Sequence, residues 1–133
     1  MKMNEQKEVS LVKNMLNKCK YTLQGLDYCF KNESSFLFVA IIACLVIVLG
    51  ICFDIDFLEW IISFGSLAFI MIIELLNTAI EATVDMVTQE YNEYAKIAKD
   101  CGSAATGIMS VLATIVNLII FVPYFIELFI KIF

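Results

Sequence analysis

The chain has 133 residues, enough for one domain. Hydrophobic residues make up 61% of it and the mean hydropathy is +0.85, which excludes an ordinary soluble domain, whose apolar share is about 45–50%. The net charge of −5, with neither Arg nor His, argues against nucleic-acid binding, because no broad basic surface could neutralise a phosphate backbone.

The first predicted element is an amphipathic helix on the membrane surface, from about residue 5 to residue 31. Most lysines of this segment lie away from a stripe of apolar residues at helical spacing, which comprises Val12, Met15, Leu16, Cys19, Leu23 and Leu26. The alternative is a soluble helix that packs on a partner protein.

Three further helices are predicted to cross a membrane, at residues 34–53, 57–88 and 101–123. The first contains the uncharged run FLFVAIIACLVIVLGICF, which is near the lower limit for a span. The second is long enough only if its helix continues through Glu74. The third opens with small residues, which let helix backbones approach closely and, in so thin a bundle, favour an oligomer. Pro123 is expected to weaken or kink its end.

The lysines predict how these helices are oriented. Six precede the first span and two lie between the second and the third, whereas the connection between the first two spans is acidic and has none. The positive-inside rule therefore places the N-terminus and residues 88–100 in the cytoplasm and the C-terminus outside. The chain is predicted to be a single all-α membrane domain with three spans.

Acidic residues interrupt the second span, in the segment IIELLNTAIEATVD. A carboxylate in hydrocarbon costs at least about 2.5–3.5 kcal/mol, so several on one helix need a cation or another purpose. The alternative is a polar seam that joins helices, but three acids without a basic residue in the same span would repel one another. The polar residues share one helix face, since they fall at i, i+3 or i+4, i+7 and i+11: Glu74, Asn77 or Thr78, Glu81 and Asp85.

The next segment, MVTQEYNEYAKIAKDCGSAA, brings further charges close to Asp85. Carboxylates and lysines beside a membrane suit Mg²⁺ bound to a nucleotide, because magnesium takes oxygen ligands and shares them with phosphates. Neither GxxxxGK[ST] nor GxGxxG occurs, so a site of the common soluble types is not indicated. The alternative is a solvated loop over YNEYAKIAK.

The segments ELLNTAIEATVD, EY and AKDCGSAA together resemble the signature of the small prokaryotic diacylglycerol kinase and undecaprenol kinase family. They are similar to its E-x-x-N-[ST]-A-I-E-x-x-V-D pattern and its A-K-D block, at the same spacing. Upstream, YTLQGLDYCFKNESSF resembles the family's Y-x-x-x-G-L segment, which ends in N-E-x-x-F. The likeness covers roughly residues 10 to 123.

This resemblance implies a homotrimeric enzyme of the bacterial cytoplasmic (inner) membrane, with three spans, a surface helix and its active site on the cytoplasmic side. It implies transfer of the γ-phosphate of MgATP to the hydroxyl of a lipid alcohol. NESSF and AKDCGSAA favour diacylglycerol as the acceptor, which would give phosphatidic acid. The alternative acceptor is undecaprenol.

The resemblance also implies roles for individual residues. Glu74 matches the general base that accepts the lipid hydroxyl proton, and Asn77 matches the residue that orients the base and the lipid. Glu33 and Glu81 match the carboxylates that bind Mg²⁺. The positions that match nucleotide-binding residues, besides those two acids, are Tyr21, Asp85, Glu90, Tyr91, Lys99 and Asp100, of which Asp85 has the least defined role.

Two other classes of function are compatible with the acids. An ion-coupled transport or channel subunit could use Glu74, Glu81 and Asp85 as a cation path, but it would require neither Glu33 nor the A-K-D block. A structural membrane protein that only binds partners would leave the acidic face unexplained.

Overall fold

The structure is a computed structural model that describes the backbone of residues 2–133 and the side chains of residues 13–133. The start of the predicted surface helix, with Val12, therefore lies outside the described side chains. In the described residues all regular secondary structure is helical, which confirms the all-α class. The four helices are α1 (Lys2–Asn32), α2 (Ser34–Phe53), α3 (Phe57–Val87) and α4 (Glu93–Ile132).

Helices α2 and α3 are joined by a tight turn. Asp54 has a left-handed backbone (φ 53°), and its N–H donates to the carbonyl of Ile51 at the end of α2. Asp56 then caps α3: its carboxylate accepts from Glu59 N at 2.9 Å, and the Glu59 carboxylate accepts from Asp56 N at 3.0 Å. This capping box satisfies two backbone donors where α3 begins and turns the chain back along α2.

Helices α3 and α4 form an antiparallel pair with contacts at both ends. The side chain of Asn92 begins α4 by accepting from the N–H groups of Tyr94 and Ala95. Near the α3–α4 connection, Lys99 pairs with Asp85, and at the far end the Tyr124 hydroxyl donates to Glu59 at 2.6 Å. Helix α4 extends beyond the predicted third span on both sides, and it continues through Pro123.

The core lies where α2, α3 and α4 meet. Its buried apolar side chains are Val39, Val46, Ile55, Leu67, Ile70, Ala113, Ile120 and Phe121. Among them lies a small polar cluster. The Ser63 hydroxyl donates to Asn117 Oδ1, and Asn117 Nδ2 donates to Ser66 Oγ at 3.1 Å. Ser63 is fully buried, so this cluster joins α3 to α4 within the apolar layer.

Helix α1 packs on the rest of the chain through its C-terminal end. Cys29 is buried there, and the ring of Phe30 meets that of Phe36 edge-on at 4.9 Å. Earlier in the helix, Leu16 and Leu23 are each about two-thirds exposed. These apolar side chains are therefore left without cover from their own chain.

Three of the four helices, α2, α3 and α4, are long and apolar enough to cross a membrane. An ordinary bilayer has a hydrocarbon core about 30 Å thick, which about 20 helical residues can span. Helices α3, with 31 residues, and α4, with 40, exceed that length and must extend into the polar layers. The fold is that of a membrane protein.

Candidate active site

The deepest acid of the candidate site is Glu74, whose side chain is only 5% exposed. It lies on α3 and faces the start of α2, where the Ser35 side chain is within range of its carboxylate. The charges of Glu33 and Glu81 also act on this carboxylate. Three predicted site residues are thus brought together, and Ser35, which the sequence did not single out, joins them two positions after Glu33.

Asn77 and Glu81 interact one turn apart on α3. The Asn77 Nδ2 group donates to Glu81 Oε1 at 2.9 Å, and both side chains are half-buried. On its other side, the amide oxygen of Asn77 is fully buried without a hydrogen-bond partner and faces the backbone of Gly102 on α4. Both atoms of the amide are therefore held between neighbouring groups.

Glu33 occupies the break between α1 and α2. It is half-buried, and it has an extended backbone (φ −110°, ψ 105°) between two helices. Its position explains how a residue far from α3 in sequence comes within range of Glu74. Among the described residues no three acid, Cys or His side chains are grouped closely enough to hold a metal alone.

Two carboxylates nevertheless fit one particular kind of metal site. Mg²⁺ is usually bound through one or two carboxylates and completes its shell with water and substrate phosphates. Glu33 and Glu81 offer the hard oxygen ligands that this ion prefers. The chemistry of these donors therefore fits magnesium that arrives with a nucleotide, rather than a cage made only of protein groups.

A polar cleft of about 400 Å³ lies at the connection between α3 and α4. Across it, Lys99 Nζ pairs with Asp85 Oδ1 at 2.6 Å. Five of the predicted nucleotide-binding residues line it: Asp85, Glu90, Tyr91, Lys99 and Asp100. Gln89 and Asn92 also line the cleft, which the sequence did not predict. An Asn directly before a helix signals a helix cap, but it does not indicate that the side chain borders a cleft.

Tyr21 is a predicted nucleotide-binding residue that the structure brings neither to this cleft nor to the acids near Glu74. It lies on α1, is 65% exposed, and is absent from the cleft lining. A second cleft, of about 370 Å³, is largely apolar and lies between α2, α3 and α4. None of the predicted site residues lines it.

The site has a definite order along α3. Glu74 and Glu81 are seven residues apart, about 10 Å along the axis, and Asp85 follows about 6 Å further on. The buried Glu74, the half-buried Glu81 and the polar cleft beside Asp85 therefore follow one another towards one end of the bundle. This combination defines a membrane-embedded protein with a polar site at one end of its spans.

Comparison with known proteins identifies the family. Residues 20–121 match the family model described as prokaryotic diacylglycerol kinase. This segment is well over half of the chain, and the chain therefore belongs to the prokaryotic diacylglycerol kinase family of membrane lipid kinases. The resemblance seen in the sequence and the predicted enzyme class are both confirmed.

Individual relatives carry two different names. The chain is 39% identical over 100 residues to a protein named undecaprenol kinase from Bacillus subtilis. The aligned segment covers 75% of the chain and 81% of that protein. It is 39% identical over 92 residues to a protein named diacylglycerol kinase from Haemophilus influenzae, an alignment that covers 69% of the chain and 78% of that protein. It is 37% identical over 95 residues to a protein named diacylglycerol kinase from Escherichia coli K12, an alignment that covers 71% of the chain and 78% of that protein.

Proposed function

We propose that this chain transfers the γ-phosphate of MgATP to the hydroxyl of diacylglycerol and so forms phosphatidic acid. The observation that carries the proposal is the order of groups along α3. Lipid hydroxyl, γ-phosphate and the rest of the nucleotide must lie in line during the transfer. Along α3, Glu74 would face the lipid hydroxyl, Glu81 would face the γ-phosphate, and the cleft beside Asp85 would hold the rest of the nucleotide.

In this proposal Glu74 accepts the proton of the lipid hydroxyl. It is the most buried acid of α3 and lies deeper along the span than Glu81 and Asp85, on the side from which a lipid hydroxyl would arrive. Burial also keeps bulk water away from the transferred phosphoryl group, which limits hydrolysis of ATP. Asn77 orients the site through its bond to Glu81.

Glu33 and Glu81 would hold the magnesium ion of MgATP. When bound, this ion neutralises charge on the phosphate oxygens and helps to align them. Because Glu33 begins α2 and Glu81 lies on α3, the two carboxylates approach the phosphates from different helices. Phosphoryl transfer needs little covalent help from a protein beyond such positioning.

The cleft beside Asp85 would take the nucleotide. Lys99 supplies a cation for phosphate oxygens, and its pairing with Asp85 keeps it at the cleft before a nucleotide arrives. Glu90, Tyr91 and Asp100 line the same space. Tyr21 would have to reach this nucleotide from α1, on this chain or on another copy.

Undecaprenol is the second candidate acceptor, because a relative with that enzyme name is 39% identical over three-quarters of the chain. Both acceptors present a primary hydroxyl on a long apolar body. The chemistry assigned to Glu74 and Glu81 is the same for each, so the choice depends on contacts with the lipid body.

The assembly and orientation are further parts of the proposal. The end of the bundle that carries the α3–α4 connection and its cleft faces the cytoplasm of a bacterial inner membrane, as the distribution of lysines predicts. The apolar face of α1, which is exposed in the single chain, lies on that membrane surface. Three copies assemble into a homotrimer.

The test is phosphate transfer by the purified protein in mixed micelles. γ-Labelled ATP and Mg²⁺ are supplied with diacylglycerol and undecaprenol in competition, and the labelled lipids are separated. Label on diacylglycerol supports the first acceptor and label on undecaprenol the second. Transfer to neither lipid by folded protein would overturn the proposed function.

A further inference from the structure

Gly102 lies where α4 packs against Asn77 of the candidate site. It is buried, and a Cβ atom built on it would overlap Asn77 Oδ1 on α3. The Cγ atom of the same amide would be tight at 3.3 Å, and Ile80 Cδ1, at 3.7 Å, would be in ordinary contact. The amide of Asn77 is thus the one group in the described structure that excludes a side chain here.

The orientation of the Asn77 amide is fixed from its other side. Nδ2 donates to Glu81 Oε1, and turning the amide over would place its oxygen against a carboxylate that can only accept. Oδ1 must therefore face α4, where it is buried without a conventional hydrogen bond. The hydrogen that glycine carries in place of Cβ points at this oxygen, as in the weak Cα–H···O contacts of close helix pairs.

We propose that Gly102 is a positioning residue for phosphoryl transfer. By lacking a side chain it leaves the space that the Asn77 amide occupies while it donates to the Glu81 carboxylate. The inference rests on the proposed function, because it acts through the residues assigned there to base and metal. A methyl group at position 102 would turn the amide away from Glu81 or push α4 away from α3.

Three of the other four glycines carry no such constraint, whereas a Cβ atom at the fourth, Gly50 on α2, would overlap the ring of Trp60. A Cβ atom at Gly25, Gly65 or Gly107 would meet nothing within 4 Å. Gly65 lies on α3, the helix that carries the site. Replacing it by Ala raises the helix propensity by the same amount as replacing Gly102 by Ala. Gly65→Ala is therefore the matched control for Gly102→Ala.

The first experiment compares steady-state kinetics of Gly102→Ala and Gly65→Ala in mixed micelles. Gly102→Ala is expected to lower kcat by about 100-fold, the scale of a 1 Å misplacement of reacting groups. It is also expected to raise the Mg²⁺ concentration for half-maximal activity, while KM for the lipid changes little. Gly65→Ala should behave as the unsubstituted protein. Native kcat and Mg²⁺ dependence in Gly102→Ala would overturn the proposal.

The second experiment is a double-mutant cycle on thermal stability, which needs no activity. Gly102→Ala should lower the unfolding temperature of the unsubstituted protein. In the Asn77→Ala background the same change should be neutral or stabilising, because the overlapping atoms are gone and the new methyl fills the space. An equal loss in both backgrounds would overturn the proposal.

These two readouts separate the inference from the function beneath it. If the unsubstituted protein transfers no phosphate, the proposed function fails, while the cycle still reports on Gly102 and Asn77. If Gly102→Ala does not fold alone, folding of the Asn77→Ala/Gly102→Ala protein supports the proposal. Failure of that double variant to fold, when Asn77→Ala folds, would contradict it.

Discussion

Glu74 and Glu81 lie two turns apart on one helix and yet have different surroundings. Glu74 is almost wholly buried beside Ser35, whereas Glu81 is half-buried and accepts a hydrogen bond from Asn77. Under the proposed function, one acid type therefore has two roles: Glu74 would accept the proton of the lipid hydroxyl, and Glu81 would bind the metal of the nucleotide.

Replacing the deeper acid should abolish turnover and leave nucleotide binding intact. Glu74→Gln keeps the shape of the side chain but removes its ability to accept a proton. Because general base catalysis contributes about 100- to 10,000-fold, we expect kcat to fall by that factor. Equilibrium binding of MgATP should be unchanged. Glu127→Gln, at an exposed acid of α4, is the control, and near-native turnover in Glu74→Gln would show that the base is another residue.

Replacing Glu81, the shallower acid, should weaken the binding of Mg²⁺. In Glu81→Ala the Mg²⁺ concentration for half-maximal activity should rise by more than about tenfold, since even groups that only support a ligand cost that much. MgATP affinity should fall with it. The measurement is a magnesium titration at fixed ATP, with Glu127→Ala alongside. An unchanged magnesium requirement would remove Glu81 from the metal site.

The sequence predicts some of these residue contacts and not others. Asn77 and Glu81 are four residues apart, and helical spacing alone brings such side chains together. The contact between Asn77 and Gly102 depends instead on how closely α4 approaches α3. Glu33 approaches Glu74 only because α2 runs back along α3. Helical periodicity carries no information on either distance.

At the scale of the helices, α3 and α4 are joined by polar contacts at three levels. These are the Lys99–Asp85 pair, the cluster of Ser63, Ser66 and Asn117, and the bond from Tyr124 to Glu59. The buried Leu67 and Ile70 separate that cluster from Glu74. Apolar side chains therefore interrupt the polar groups along α3, a poor arrangement for a continuous cation path in the single chain.

The cluster of Ser63, Ser66 and Asn117 should contribute measurably to the stability of the fold. Asn117→Ala removes the partner of both serines, and interhelical hydrogen bonds of this kind are worth about 0.6–1.7 kcal/mol in a membrane. We expect a loss of unfolding free energy in that range, measured by denaturation in mixed micelles. The magnesium requirement of the folded protein should not change, since Asn117 bonds to Ser63 and Ser66, and even Ser66 is about 12 Å along α3 from Glu74.

Thr114→Ala provides the control for this change. Thr114 lies one turn earlier on α4, is exposed, and bonds only to the Ser110 carbonyl of its own helix. Its loss should cost less than about 0.5 kcal/mol. Equal stability of the two variants would mean that the serine–asparagine cluster does not hold α3 to α4.

The cluster also marks a limit of sequence reasoning at this scale. Ser63 and Asn117 are 54 positions apart, and each sits in an apolar run where the sequence predicts only a span. The helices themselves are easier to predict, because long uncharged runs are local signals. Which polar side chains of two spans meet is decided by their rotation about their axes.

At the scale of the whole molecule, much of the polar site is open on one side. Glu90 and Tyr91 are exposed, and Tyr21 is 65% exposed on α1, away from the cleft. The first turns of α4 also present small residues outward, including Ser103, Ala104 and Ala105. A second copy could approach closely there and cover the cleft. These features support the proposed homotrimer.

The assembly is tested by mass. Light scattering of the purified protein in detergent, corrected for the micelle, should give three times the chain mass of 15.1 kDa. The value should hold as the ratio of detergent to protein is raised, because a specific assembly resists dilution into empty micelles. A mass of one chain, with full phosphate transfer, would show that a single copy completes the site.

The one-residue break at Glu33 has a mechanical consequence. Helices α3 and α4 are tied together at both ends, so Glu74, Asn77, Glu81 and Lys99 keep fixed separations. Glu33 instead belongs to the joint between α1 and α2. A tilt of α1 against α2 would therefore move this carboxylate, together with Tyr21 on α1, relative to the site residues on α3 and α4. Under the proposed function, the separation of the two metal-binding carboxylates then depends on how α1 lies against the membrane surface.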